Sequence, residues 1–422
     1  MLIEGFLIKL KHSFLVFRTD RYSGKGGIEV SDSGKIKVSP VKMFILLILL
    51  IAAQPILGGC LKDSSVQLHS GTSHDVPNEK ESTETSSTER KIFPVNPEKG
   101  EFNRAAGWVT NDTILYITEA ADGSRLFTYQ LSTGADKLIF KSEFPVVKAE
   151  VNSLRKQILI HSARSTHEAE LTIIDYDGKI LADQRIDSYE LSFEWNKEED
   201  GEVLVTAFNE DWSYKTYLLK INENSLSKLD LPQPFAVWKS SEEILFLNWD
   251  QDSPDLQAPL IEKNLSNQKQ RELLSSVHHI DSSKKVIMAV STNQENKEFA
   301  VYRFMTKDLE TISSLKVFQL TTYSGWLTPY YDIMDSQGSF IYFRPVTSGE
   351  ADLYGEEFTL SRFSFKEGKE VDLVTGLANE PLSCSVQGEL CLYGHQFEKV
   401  IDLREKKIHS LVKSQEQLKG EK

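Results

Sequence analysis

Few residues in this 422-residue chain have the spacing that chemistry needs. Cysteine occurs three times, at Cys60, Cys384 and Cys391. The last two flank a turn expected at Gln387-Gly388, and a two-residue turn would set them opposite each other on one sheet face. In an oxidising compartment such a pair can form a disulfide. The predicted register is a hydrogen-bonded site, where the α-carbons stand farther apart, so two buried free thiols are the competing expectation. His278-His279 has no H-E-x-x-H context and reads as a turn or strand edge, not a metal site. The run Asp250 to Asp255 puts Pro254 where a calcium ligand is needed, lacks the turn glycine and reaches Ile261 where a glutamate should stand. No G-x-S-x-G nucleophile motif is present. Consecutive carboxylates at Glu198-Glu199-Asp200 and Glu242-Glu243 point different ways and read as polar turns. No catalytic residue, metal or cofactor is therefore expected. What remains is binding: Tyr323-Ser-Gly-Trp326-Leu-Thr-Pro-Tyr330-Tyr331 crowds four aromatics beside an insertion at 345–358 that holds Tyr354. Exposed aromatics beside carboxylates suit saccharide or peptide recognition, which makes Trp326, Tyr330, Tyr331 and Tyr354 the candidate ligand-binding residues. Packing in the core is the alternative use of the same side chains.

Cys60 stands apart from this group. It ends the segment MFILLILLIAAQPILGGC at 43–60, whose apolar run is about 11 residues, right for a secretory signal and short of the roughly 20 that span a bilayer. Leu57-Gly58-Gly59-Cys60 resembles the lipobox of diacylglycerol-modified lipoproteins. That resemblance implies a thioether-linked diacylglycerol on Cys60, and two acyl chains make a lasting anchor where one is marginal. The expected location is the extracytoplasmic face of the cell membrane. Residues 1–42 precede the signal; they are either the product of a start placed too early or a basic amphipathic extension.

Charge narrows the partners. The chain carries −14, residues 1–42 carry +4 and 43–60 none, which leaves −18 on everything after Cys60. So acidic a surface repels phosphate backbones and anionic lipid headgroups, excluding nucleic acid and leaving the lipid as the means of membrane attachment. Residues 61–91 are rich in Ser, Thr, Glu and Lys with scarcely an apolar residue, the composition of a disordered stalk. The globular part is expected over 92–413, with a polar tail at 414–422.

Within that part the sequence repeats. Trp108, Val151, Trp195, Trp238, Ile280, Ile333 and Cys384 each precede a polar turn and a β-rich run, at spacings of 43, 44, 43, 42, 53 and 51 residues. Alternating apolar runs such as 157–161, 171–175 and 299–303, with turn signals at Asp177-Gly178 and Asp122-Gly123, indicate strands joined by hairpins. The fold class is all-β: a β-propeller of four-stranded blades, seven by repeat count, with six open if one unit is shared in closing the ring. Lipobox, stalk and propeller together resemble the YqgU-like lipoproteins of Gram-positive bacilli over 43–413. The family's domain is described as six-bladed, and the resemblance implies no activity. The expected function is a membrane-anchored, non-enzymatic interaction scaffold for an envelope protein. The alternatives are a binding module for a wall glycan or small ligand, or a hydrolase with an unrecognised site.

Overall fold

The computed structural model describes residues 90–95, 100–197, 201–250, 255–323 and 325–412. The lipobox with Cys60, most of the stalk and the polar tail lie outside them. Seven four-stranded antiparallel sheets follow one another along the chain, at 101–142, 146–187, 190–229, 237–277, 279–318, 331–377 and 382–410, here blades 1 to 7. All seven repeat anchors fall on the first, innermost strand of their blades: Glu101–Trp108, Val146–Asn152, Glu190–Trp195, Val237–Trp238, His279–Ser282, Tyr331–Met334 and Leu382–Cys384.

Period-two alternation makes these sheets a ring. Successive side chains of a strand point to opposite faces, so a strand apolar on both faces must be covered from both sides. In Thr113–Ala120, Ile114 and Tyr116 pack against blade 7, whereas Leu115 and Ile117 pack against blade 2. The same division recurs throughout. Seven hydrophobic clusters result, each drawn from two neighbouring blades and one for each seam, including that between blades 7 and 1.

Polar contacts pin the inner ends of the seams. Trp108 Nε1 donates to the carbonyl of Ser383 across the closing seam (2.8 Å), and Trp238 Nε1 to that of Glu194 (3.2 Å). Both acceptors immediately precede an anchor in the preceding blade. Residues 90–95 clasp the ring from outside. Phe93 N–H donates to Leu131 O of blade 1 and Val95 N–H to Leu411 O beyond blade 7, while Tyr129 Oη donates to Pro94 O (2.8 Å). Arg90 pairs with Glu389 (2.5 Å) and reaches the fully buried Asp402 (3.5 Å). Arg90, near the end of the stalk expected at 61–91, belongs to this clasp.

Turn chemistry follows the sequence with local shifts. Asp175 Oδ1 accepts from the backbone N–H of Asp177 and Lys179, and Gly178 (φ +86°) sits where a Cβ would meet Ile139 O of blade 1 at 2.0 Å. Only glycine fits there. In blade 7 the expected two-residue turn is a four-residue loop at 386–389, closed by Ser385 N–H donating to Leu390 O (2.8 Å). The Cys384–Cys391 pair thereby moves from the expected hydrogen-bonded site to the neighbouring one, with α-carbons 3.9 Å apart and the sulfurs joined in a disulfide.

One element departs from the blade plan. Strands Leu320–Thr322, Gly325–Leu327 and Gly349–Glu350 form a small sheet appended to blade 6, with Leu320 and Leu327 packed on the cluster between blades 6 and 7 and Leu320–Thr322 in the middle, antiparallel to the second and parallel to the third. It accounts for the two long repeat spacings: one gap holds the 320–327 hairpin and the other holds 349–350 with a short 3₁₀ turn, Ala351–Leu353.

Candidate functional site

Two regions place polar or apolar groups against their usual preference. The first is the inner wall of the ring, where short innermost strands set charged residues beside the anchors. Glu194 precedes Trp195, Asp281 follows Ile280 and Asp332 precedes Ile333. Lys197, just past the innermost strand of blade 3, has Nζ 3.6 Å from Glu194 Oε1 and donates to the carbonyl of Ser282 in blade 5 (2.5 Å), bridging past blade 4. The Glu194 and Lys197 side chains stay 29% and 35% exposed though protein surrounds them, as expected of groups that line the axis of the ring. Burial pushes the Glu194 carboxyl up to about 7, with Lys197 acting in the opposite direction. Burial also works against the charge on Lys197, but Glu194, Asp281, Glu150 and Asp335 outweigh it and hold the amine above its ordinary value.

The second half of the wall is a hydrogen-bond chain. Tyr331 Oη donates to Asp281 Oδ2 (2.9 Å) and lies 2.7 Å from His279 Nε2, which must carry its proton to complete the chain. Burial lifts the Tyr331 phenol well above its usual range, with Asp281 adding to it. Burial lowers His279, partly offset by Asp281. Asp332 Oδ2 accepts the N–H of Cys384 (2.6 Å), and burial pushes this carboxyl up to about 7 against that hydrogen bond. Among the described residues no three His, Cys, Asp or Glu side chains converge as metal ligands.

The four aromatics singled out in the sequence do not share one surface. Tyr331 belongs to the channel wall. Trp326 lies against His278, ring centroids 5.9 Å apart, and its Nε1 is enclosed without a hydrogen-bond partner. Burial, with His279 adding to it, drives His278 down to about 3. Tyr330 and Tyr354 pack on the cluster between blades 6 and 7, and Tyr354 Oη accepts the N–H of Val346 (2.8 Å).

The second region is the appended sheet. Its parallel pair, Leu320↔Gly349 and Thr321↔Glu350, means that the residues following each strand emerge at the same end. Those residues are Tyr323 and the 3₁₀ turn ending in Leu353, 88% and 79% exposed, the highest values among the described large apolar side chains. Exposed Glu350, Asp352, Glu356 and Glu357 surround Leu353 in sequence, with no Lys or Arg from 345 to 361. Sequence reasoning named Tyr323 only as part of an aromatic run and passed over Glu194, Lys197, Asp281 and Asp332. Their position next to the repeat anchors was the signal available.

Fold and closure define a seven-bladed β-propeller with self-contained blades. The chain belongs to the YqgU-like 6-bladed β-propeller domain family, whose model matches residues 130–394. Those bounds enclose five whole blades and parts of blades 1 and 7, and the described residues form seven four-stranded sheets. The uncharacterized lipoprotein YqgU of Bacillus subtilis is 26% identical over 342 residues, 81% of this chain and 92% of the relative. The uncharacterized protein lmo1340 of Listeria monocytogenes superposes with a TM-score of 0.70 at 22% identity, covering 77% of this chain and 98% of its own. The β-propeller domain of the Trilobed protease from Pyrococcus furiosus, described as having an open velcro topology, gives 0.50 at 9% identity, covering 75% and 98%. Both structural likenesses speak to fold alone.

Proposed function

We propose that this chain is a lipoprotein held at the extracytoplasmic face of the cell membrane by a lipid on Cys60, and that its propeller is a non-enzymatic interaction scaffold for an envelope protein. The lipobox at 57–60 and the lipoprotein relative support the anchor. The observation that carries the scaffold reading is the appended sheet, the one departure from the blade plan among the described residues, which holds Tyr323 and Leu353 exposed at one end. Apolar side chains so exposed lower solubility unless something covers them. The test is mild cross-linking of the chain in its host cells, compared with Cys60→Ala. A protein recovered with the unaltered chain and lost with the variant supports the reading. No enriched protein, and equal behaviour of both forms, would count against it.

A second reading, a small ligand or wall glycan in the central channel, draws on the enclosed Glu194 Oε1, which has no hydrogen-bond partner, and on Tyr331 at the wall. On that reading Glu194→Gln and Tyr331→Phe weaken binding of muropeptides to the full chain; unchanged affinity in both removes it.

A further inference from the structure

We infer that the end of the appended sheet is a docking surface for a basic, apolar-bearing segment of an envelope protein, such as an amphipathic stretch alternating Lys or Arg with Leu. The inference rests on the scaffold reading and adds the partner's chemistry. Two independent features of the surface set that chemistry. The apolar component is Tyr323 and Leu353, with Val346 44% exposed in the same insertion. Parallel pairing of Leu320–Thr322 with Gly349–Glu350 delivers Tyr323 and Leu353 to the same end of the sheet, and the 3₁₀ turn Ala351–Leu353 lies against Leu320–Thr322. The charge of the insertion is one-sided, with Lys297 of blade 5 the cation that lines the groove beside Glu350. Glu350, Asp352, Glu356 and Glu357 are exposed, and none has an ion-pair partner.

Elsewhere on the ring some carboxylates find cations, as Glu370 and Asp372 hold Arg344, Glu380 holds Lys399, and Glu262 holds Lys239 and Arg271, while others such as Glu272 and Glu310 stand alone. Four unpaired carboxylates in the segment that carries the exposed Leu353, with Tyr323 at the same end of the sheet, are complementary to a segment that brings both cations and apolar groups. The same charge argues against the bilayer as occupant, since anionic headgroups would be repelled. Binding is predicted to weaken with salt, the contribution of the carboxylates, and to retain a salt-insensitive part from burial of the two apolar side chains.

The test uses the full chain solubilised in detergent, with a synthetic Lys/Leu amphipathic peptide as probe and the Glu/Leu peptide of the same pattern as control. Affinity is measured by fluorescence anisotropy from about 50 to about 300 mM NaCl. The expected result is that Tyr323→Ser with Leu353→Ser loses at least about tenfold in affinity. Neutralising Glu350, Asp352, Glu356 and Glu357 to their amides flattens the salt dependence. Leu154→Ser with Val371→Ser, exposed apolar residues on other blades, changes neither. All substituted side chains are at the surface, so folding is preserved and circular dichroism checks it. Equal loss in the Leu154/Val371 variant, full affinity in both sheet variants, or equal binding of the Glu/Leu peptide would overturn the inference. A cellular partner recovered while this peptide ignores the sheet would leave the scaffold reading intact and remove only its chemistry.

Discussion

The channel wall and the appended sheet break the usual rule of placement in opposite directions. On the wall, charges are enclosed, and neighbouring blades answer them: Lys197 faces Glu194 and the Ser282 carbonyl, Tyr331 faces Asp281, and the Cys384 N–H faces Asp332. On the sheet, apolar side chains stand in water and carboxylates have no cation. Enclosed charge is tolerated only where partners return what desolvation takes. Apart from Glu194 Oε1, these wall groups are answered from within the ring, and their contacts hold the blades in register. The sheet is unsatisfied on both counts, and that difference is why we place the partner there and not in the channel.

Substitutions can break or sharpen this contrast. Lys197→Met leaves Glu194, Asp281 and Glu150 without their shared cation. It is expected to cost about 2–3 kcal/mol in urea denaturation, below the figure for a fully buried pair because water reaches both side chains. Adding Glu194→Gln should recover part of that loss; no recovery would mean that Lys197 acts through packing alone. Next in size is the Cys384–Cys391 crosslink beside Asp332. Replacing both with Ala, or reduction, should cost about 2 kcal/mol, the loop-closure value for a separation of seven residues.

The pH dependence is a smaller effect and has a fixed sign. Burial raises Glu194 and Asp332 to about 7, so the folded ring takes up protons that the unfolded chain releases near the ordinary carboxylate values. Their contribution is fully present below the unfolded values and is lost as pH rises through about 7. Asp332→Asn should flatten the fall in melting temperature between pH 5 and about 7.5. A fall as steep as in the unaltered chain would mean that Asp332 does not titrate there. The smallest effect on folding is expected from Tyr323→Ser with Leu353→Ser, within about 0.5 kcal/mol, because neither side chain has much to lose. Partner binding should nevertheless disappear.

Much of the ring was legible because its repeat is physical. Anchors recur every 42 to 44 residues where blades are plain. The spacings of 53 and 51 mark where the appended sheet interrupts the pattern, so the irregularity itself pointed to the candidate site. The wall was not legible. Glu194, Asp281 and Asp332 look like the polar half of ordinary strand alternation, and only the ring brings blades 3, 5 and 6 to one axis. Trp108 and Trp238 showed as anchors, but their indole donors reaching carbonyls of the preceding blade require the tertiary structure. The disulfide register turned on loop length: four residues at 386–389 in place of two move the cysteines to the site where α-carbons are closer.

The most direct measurement is photo-cross-linking in living cells from position 323, compared with position 371, which is also exposed but lies on a regular outer strand of blade 6. The account predicts one discrete protein adduct from 323, lost on Leu353→Ser, and none from 371. Adducts of equal yield from both positions, or an adduct from 323 that persists with Leu353→Ser, would contradict it.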